Sequence, residues 1–268
     1  MSPLWPDTCV AVLTPDRAVL ARTRRGLRAQ LEPLAEARCT GAHPRAQAEA
    51  LALLLAAPGL RRGGLRIVLS SHLVRLWLLP CSAEIGTPSE LAEFAAICCD
   101  ETFGSEPGGR RIVSARARPP SPRVTAAVDS AFLAGLRDAA SGSPLRLASV
   151  QPYLGAAFDR LRQSLPRRDF VFLLAEPTRS CVLTATGGRW RSLRNVGCSG
   201  QPHALAQLLQ REAQLSGLAD EGMPPVFVHA PGGEPLNLPP CHGVLPLWLP
   251  LPGGAPEDPL LAMAKTVA

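Results

Sequence analysis

Three short β-prone runs separated by two tight breaks, between Asp169 and Gly197, restrict this chain more than any other stretch. Phe170 to Leu174 is uninterrupted apolar sequence, the composition of a strand covered on both faces. Pro177 to Arg179 interrupts it, and Cys181 to Thr186 is again β-rich. Gly187-Gly188 then turns the chain, and Trp190 to Val196 alternates polar and apolar residues. From Pro202 to Leu215, Leu205, Leu208, Leu209 and Leu215 fall at helical spacing, which predicts an amphipathic helix with proline in its first turn. A meander leading directly into a helix commits this half to layered α/β architecture.

The same order occurs earlier. Thr8 to Leu13 is apolar, and Thr14-Pro15-Asp16-Arg17 supplies turn chemistry with proline at its second position. Ala18 to Arg22 resumes the strand, Leu27 to Cys39 predicts a third, and His43-Pro44 opens a helix running to Leu55. The pattern βββα is therefore predicted twice, without a residue-level repeat, and Pro225 to His229 adds a buried strand to the second copy. Between the copies, Leu65 to Leu69 is a compact apolar strand that ends in Ser70-Ser71-His72, and Leu73 to Leu79 is a further strand closed by Pro80. Thr87-Pro88-Ser89-Glu90 has the spacing of a capping box, with Leu91, Phe94, Ala95, Cys98 and Cys99 following at helical intervals. A hairpin (Arg111 to Arg116, Arg123 to Val128), a helix (Ala131 to Ala139), a strand (Leu145 to Val150) and a helix (Pro152 to Leu165) complete the first copy. The expected organisation is a first half over residues 1–168, with a subdomain inserted at about 104–150, and a second half over 169–268.

Composition removes several function classes. The formal charge is +6, and Lys265 is the only lysine among 28 basic residues. The arginines are scattered, and aromatics make up only 4% of the chain, so the basic face interleaved with stacking rings that single-stranded nucleic acid requires is not written here. No run of about 18 apolar residues could span a bilayer. The N-terminus lacks a basic segment followed by a long apolar one, so a cytoplasmic protein with reduced thiols is expected. The eight cysteines form no CxxC pair, and four ligands at zinc spacing are absent.

The segment Leu65 to Gly104, with a strand ending in the polar step Ser70-Ser71-His72 and a following strand ending at Leu79-Pro80, resembles bacterial pilus and type II secretion assembly proteins of the PilM, MshI and GspL-cytoplasmic kind. The duplicated βββα order resembles the actin-like ATPase, or ribonuclease-H-like, superfold to which they belong. The resemblance implies an α/β actin-like fold of two βββαβ units with an inserted small subdomain. It further implies a cytoplasmic scaffold, peripheral to the inner membrane, that binds the tail of a single-pass membrane assembly protein, the assembly ATPase, or both, and leaves a homodimer open. Ser70, Ser71, His72 and Arg75 carry the resemblance and are the partner-binding candidates.

Actin-like nucleotide sites need glycine and carboxylate in both β-turns, because amides must approach phosphate while carboxylates hold hydrated magnesium. Here the first turn offers Thr14 and Asp16 around Pro15, and the second offers Glu176 and Thr178 around Pro177. Glycine is missing from both, and each proline removes an amide donor. A degenerate site with no cofactor, no catalytic residue and no metal is the expectation. Weak ATP-magnesium binding is left to Gly197-Cys198-Ser199-Gly200 and Gly232-Gly233. The opposing reading is an actin-like ATPase or kinase using Asp16 and Glu176. A third is a thiol hydrolase through Cys198, with His203 or His229 as base and a helix N-terminus lowering the thiol pKa. Cys241-His242 are sequence neighbours whose side chains diverge on an extended chain.

Overall fold

In the computed structural model the described residues are 7–24, 30–39, 44–82, 84–117, 120–232, 235–254, 256 and 258–268. Positions where the third strand is expected to begin and the first helix to open (Leu27, His43), and Gly233, lie outside them.

The first sheet contains β1 (Asp7–Leu13), β2 (Arg17–Arg24), β3 (Gln30–Arg38), β4 (Gly63–Leu69) and β8 (Leu145–Pro152) in the order β3-β2-β1-β4-β8. The second contains β9 (Phe170–Ala175), β10 (Arg179–Thr186), β11 (Arg189–Gly197), β12 (Val226–His229) and β13 (Leu247–Trp248) in the order β11-β10-β9-β12-β13. In each, an antiparallel meander is extended by two strands parallel to its first strand. The two sheets therefore repeat one topology, although β13 is two residues long where Gly243 to Leu249 is expected, because Pro246 and Pro250 cannot donate to a ladder.

Helices α1 (Pro44–Leu55), α3 (Ser130–Ser141) and α4 (Tyr153–Leu161) accompany the first sheet, and α5 (Pro202–Leu215) and the short α6 (Leu218–Glu221) the second. A third sheet, β5-β7-β6, is built from β5 (Arg75–Leu79), β6 (Arg110–Ser114) and β7 (Arg123–Asp129), with α2 (Pro88–Phe103) on one face. The inserted subdomain thus begins with β5 rather than near residue 104, and β8 returns to the first sheet instead of lying inside the insertion. An apolar run such as Leu76 to Leu79 does not encode which sheet it joins. Here Trp77 faces Cys99, Ala127 and Phe103 in the small sheet, while Leu76 faces the main core.

The unbroken apolar run of β9 has a packing cause. Phe170, Phe172 and Leu174 enter a large core shared with Val10, Val12, Leu65 and Ile67 of the first sheet. Val171, Leu173 and Ala175 enter a second core with Leu205, Leu208 and Leu209 of α5. Both faces are dry, so no polar residue is tolerated. On α5, Leu215 lies 64% exposed, outside the apolar face expected for it. Glu212 is buried there instead, with Arg194 at 3.3 Å and Arg211 at 3.1 Å. The capping box of α2 forms as its spacing predicts: Glu90 N–H donates to the Thr87 hydroxyl at 3.2 Å, and Thr87 N–H donates to the Glu90 carboxylate at 3.0 Å.

Helix α7 (Pro259–Lys265) belongs to residues 169–268 by sequence but packs on β1, β2 and β3. Asp258 fixes it there. Its carboxylate accepts from the amides of Leu260 (2.7 Å) and Leu261 (3.2 Å) and from Arg17 (2.7 Å), whose other side meets Glu36 at 2.9 Å. Burial would raise the Asp258 carboxyl, but these donors outweigh it and hold it below its ordinary value. A depressed carboxyl contributes stability above its unfolded pKa and loses it as pH falls through the folded one. Asp258→Ala is expected to cost about 1–2 kcal/mol at neutral pH. The gap between wild-type and variant urea midpoints should narrow as the solution is acidified below about pH 4.

Candidate functional site

Two four-residue turns and one loop meet where the halves touch. In the first turn, Thr14 N–H donates to Arg17 C=O at 2.9 Å; in the second, Glu176 N–H donates to Arg179 C=O at 2.8 Å. Each carries proline at its second position and arginine at its fourth, Thr-Pro-Asp-Arg and Glu-Pro-Thr-Arg, a local repeat that reading by element order overlooks. Because β1 and β4 run parallel and in register, the loop Ser70-Ser71-His72 emerges beside the first turn, with Ser70 N–H on Leu13 C=O at 3.0 Å.

Glu176 crosses from the second half into this loop. It is 2% exposed. Its Oε1 accepts the Ser71 amide at 2.9 Å, and its Oε2 accepts the Ser70 hydroxyl. His72 Nδ1 lies 3.0 Å from Ser70 Oγ, and its Nε2 lies 3.0 Å from Thr178 Oγ1. Since Ser70 gives its proton to the carboxylate, its oxygen accepts Nδ1–H, and in the neutral ring Nε2 accepts the Thr178 hydroxyl. Ser71 is held from further sides: Asn195 of β11 donates to its carbonyl at 2.9 Å, and the Cys181 thiol donates to its hydroxyl at 3.3 Å. Arg179 donates to Asn195 Oδ1 at 3.2 Å. Glu176 and Thr178 of the second turn and Ser70, Ser71 and His72 of the loop therefore form one hydrogen-bonded junction, while Thr14 and Asp16 bond within the first turn and Arg75 stands exposed outside it.

Burial pushes the Glu176 carboxyl up, and the bonds from Ser70 and Ser71 together with nearby Arg179 recover part of that shift. Burial also lowers His72, aided by Arg179 and opposed by Asp16. Ser70, His72 and Glu176 contain the residue types of a nucleophile triad in an unproductive order. The hydroxyl lies between acid and imidazole and is fully buried, whereas an attacking hydroxyl must stand at the exposed end with the imidazole between it and the acid.

Backbone amides around the second turn are bonded within the chain. Gly200 N–H donates to Pro177 C=O at 2.8 Å, Cys198 N–H to Thr178 C=O at 3.2 Å, and the Ser71 amide is taken by Glu176. Gly200 packs closely there: a Cβ would stand 3.4 Å from Glu176 and Pro177 backbone atoms. In the first turn the Thr14 hydroxyl contacts Asp16 at 2.9 Å and Arg17 C=O at 2.7 Å, while Asp16 itself is exposed.

Of the partner-binding candidates, Ser70 and Ser71 are buried and act from behind the surface, while His72 is half-buried and Arg75 exposed. The thiol reading is corrected. Burial raises the Cys198 thiol despite Ser180 and Arg211, His203 makes no hydrogen bond to it, and His229 is committed elsewhere. His229 Nδ1 donates to Leu249 C=O at 2.8 Å, and its Nε2 receives the buried Tyr153 hydroxyl at 3.1 Å. The Cys181 thiol is pushed up to about 12 by burial and stays protonated. Cys241 and His242 form a turn in which the Cys241 amide donates to Val244 C=O at 2.8 Å, with His242 at φ 44°. Among the described residues no group of three or more metal-ligating side chains converges.

No family model and no curated protein matches the chain. Solved structures do. The cytoplasmic domain of EpsL, an inner membrane component of the type II secretion system of Vibrio cholerae, is 13% identical with a TM-score of 0.60, over 97% of this chain and 94% of that one. A chain of the PilM-PilN type IV pilus biogenesis complex is 16% identical with a TM-score of 0.64, over 97% and 96%. A Bacteroides thetaiotaomicron protein of unknown function with an actin-like ATPase fold is 10% identical with a TM-score of 0.55, over 85% and 82%. The fold is actin-like. The meander-plus-two-parallel-strands topology, repeated, is the actin-like core, and the β5-β7-β6 sheet with α2 is its inserted subdomain.

Two measurements test the junction. Ser70→Ala leaves a buried carboxylate short of one donor and is expected to cost about 1–3 kcal/mol in urea unfolding; no measurable change would mean that Glu176 is satisfied without Ser70. Glu176→Gln removes the titration while keeping the shape. A raised carboxyl contributes stability that is complete below its unfolded value and lost as pH rises through the folded one. The Gln variant should therefore gain on wild type as the pH rises above about 4.5, where the unfolded carboxyl ionises first.

Proposed function

We propose that this chain is a non-catalytic scaffold of a type IV pilus or type II secretion-like assembly platform. It acts by binding the cytoplasmic tail of a single-pass inner-membrane assembly protein, and the assembly ATPase through another face. It is cytoplasmic and reaches the membrane through that partner. Among the described residues no helix is long and apolar enough to cross a membrane, in keeping with such an arrangement.

The observation that carries this reading is the committed chemistry of the two turns. An ATPase on this fold needs backbone donors free for phosphate and carboxylates free for magnesium. Pro15 and Pro177 have no N–H, the Gly200 and Ser71 amides are spent inside the chain, and Glu176 is buried against serines. The similarity to a PilM-PilN chain and to EpsL supports an assembly role, and the exposed Arg75 beside half-buried His72 supports this edge as the partner surface.

Calorimetric titration with magnesium ATP is expected to give no heat at millimolar nucleotide. Micromolar binding would move the ATPase or kinase reading, through Asp16 and Glu176, to the front. Arg75→Glu is expected to weaken binding of the cytoplasmic tail peptide of the single-pass membrane partner by about tenfold. Unchanged affinity would remove Arg75 from the interface.

A further inference from the structure

Two donors supplied by the first half, the Ser71 amide and the Ser70 hydroxyl, converge on one carboxyl group supplied by the second. This is the geometry of an anion site with its ligand in place. The donors are held independently of that ligand. Ser70 N–H is bonded to Leu13 C=O at 3.0 Å, Leu73 N–H to Ser70 C=O at 2.9 Å, and Asn195 grips Ser71 C=O at 2.9 Å and Val74 C=O at 3.3 Å. The Ser70 hydroxyl is positioned by His72, which is anchored in turn on Thr178. The other titratable or charged groups around Glu176 are Arg179 and Cys181 from β10 and Tyr153 from α4, with Asp16 acting on His72 from the first turn.

We propose that Ser70-Ser71 is a carboxyl-binding cradle and that its resident ligand is the chain's own Glu176 side chain. The junction is then filled from within, and its closed arrangement needs no external anion. It shares the Glu176 contact with the scaffold reading, but the tests are separate: acetate rescue reports on the cradle, and the Arg75→Glu binding measurement reports on the scaffold. Because the donors stay fixed when the side chain is removed, a free carboxylate of matching size takes its place. Truncating glutamate to alanine removes a methylene and a carboxyl, which together have the heavy atoms of acetate. Phosphate has one heavy atom more than acetate and is tetrahedral where a carboxylate is planar.

The experiment is thermal unfolding of wild type and Glu176→Ala in increasing sodium acetate, with sodium chloride and sodium phosphate at matched ionic strength as controls. Acetate is expected to restore at least half of the melting-temperature loss of the variant and to leave wild type unmoved, since its cradle is occupied. Equal effects of acetate and chloride would overturn the proposal, and so would better restoration by phosphate, which would mean a surviving phosphate site. If Glu176→Ala does not fold, Glu176→Leu fills the same volume without an acceptor. The Ser71 amide, read by hydrogen exchange, should then exchange at least about tenfold faster than in wild type. Unchanged protection would show that Glu176 is not its ligand.

Discussion

A carboxyl group taken out of water must be met by donors, and few groups in a folded chain have donors to spare. Glu176 finds them in a loop of the opposite half, and much of the architecture around it follows from keeping that loop still. β4 delivers the loop in register with β1, Asn195 reaches over from β11 to hold its carbonyls, and His72 closes the circuit on Thr178. The same arrangement explains why neither serine has freedom to act as a nucleophile. The Ser70 hydroxyl has committed its proton to a buried carboxylate, and the Ser71 hydroxyl is held between the Cys181 thiol and Glu176.

The two halves do not meet through that polar junction alone. β9 is the hinge of the packing, because its alternate side chains belong to different cores, one shared with the first sheet and one closed by α5. A strand used on both faces cannot shift without disturbing both cores, so Glu176, the residue that follows it, is delivered to a fixed point. Helix α7 returns across the first sheet and is fixed by Asp258 on Arg17, the fourth residue of the first turn. Each turn thus has its arginine drawn into structural service: Arg17 caps the contact with α7, and Arg179 braces Asn195.

What the sequence discloses and what it hides follow from the range of the interactions. Local rules disclose β9, the capping box at Thr87 and Glu90, and both proline turns, because each is decided within a few residues. The sheet that receives β5 is decided by contacts far along the chain, and an apolar run reads the same in either place. Leu215, the last residue of α5, keeps helical spacing with the buried leucines and yet is exposed. At the junction, residue types were legible but their meeting was not. Ser70 and Glu176 are 106 positions apart, and only the register of two sheets brings them together. The Thr-Pro-Asp-Arg and Glu-Pro-Thr-Arg pair was the available signal that two distant segments occupy equivalent places.

The proline at the second position of each turn bears on which donors the turn can offer. Proline presets the turn and strips one donor, so the hairpin stays well formed while its capacity to cradle an oxyanion falls. A turn that only lost its donors would leave the neighbouring Ser71 amide and Ser70 hydroxyl exposed to nothing, at a cost of about 1–3 kcal/mol for each buried unsatisfied group. Glutamate at the first position of the second turn is long enough to reach both, and aspartate, one methylene shorter, would retract the carboxyl from them. The missing proline donors and the inward-facing Glu176 carboxylate are therefore complementary: the first leaves each turn one amide fewer, and the second keeps the Ser71 amide and the Ser70 hydroxyl satisfied.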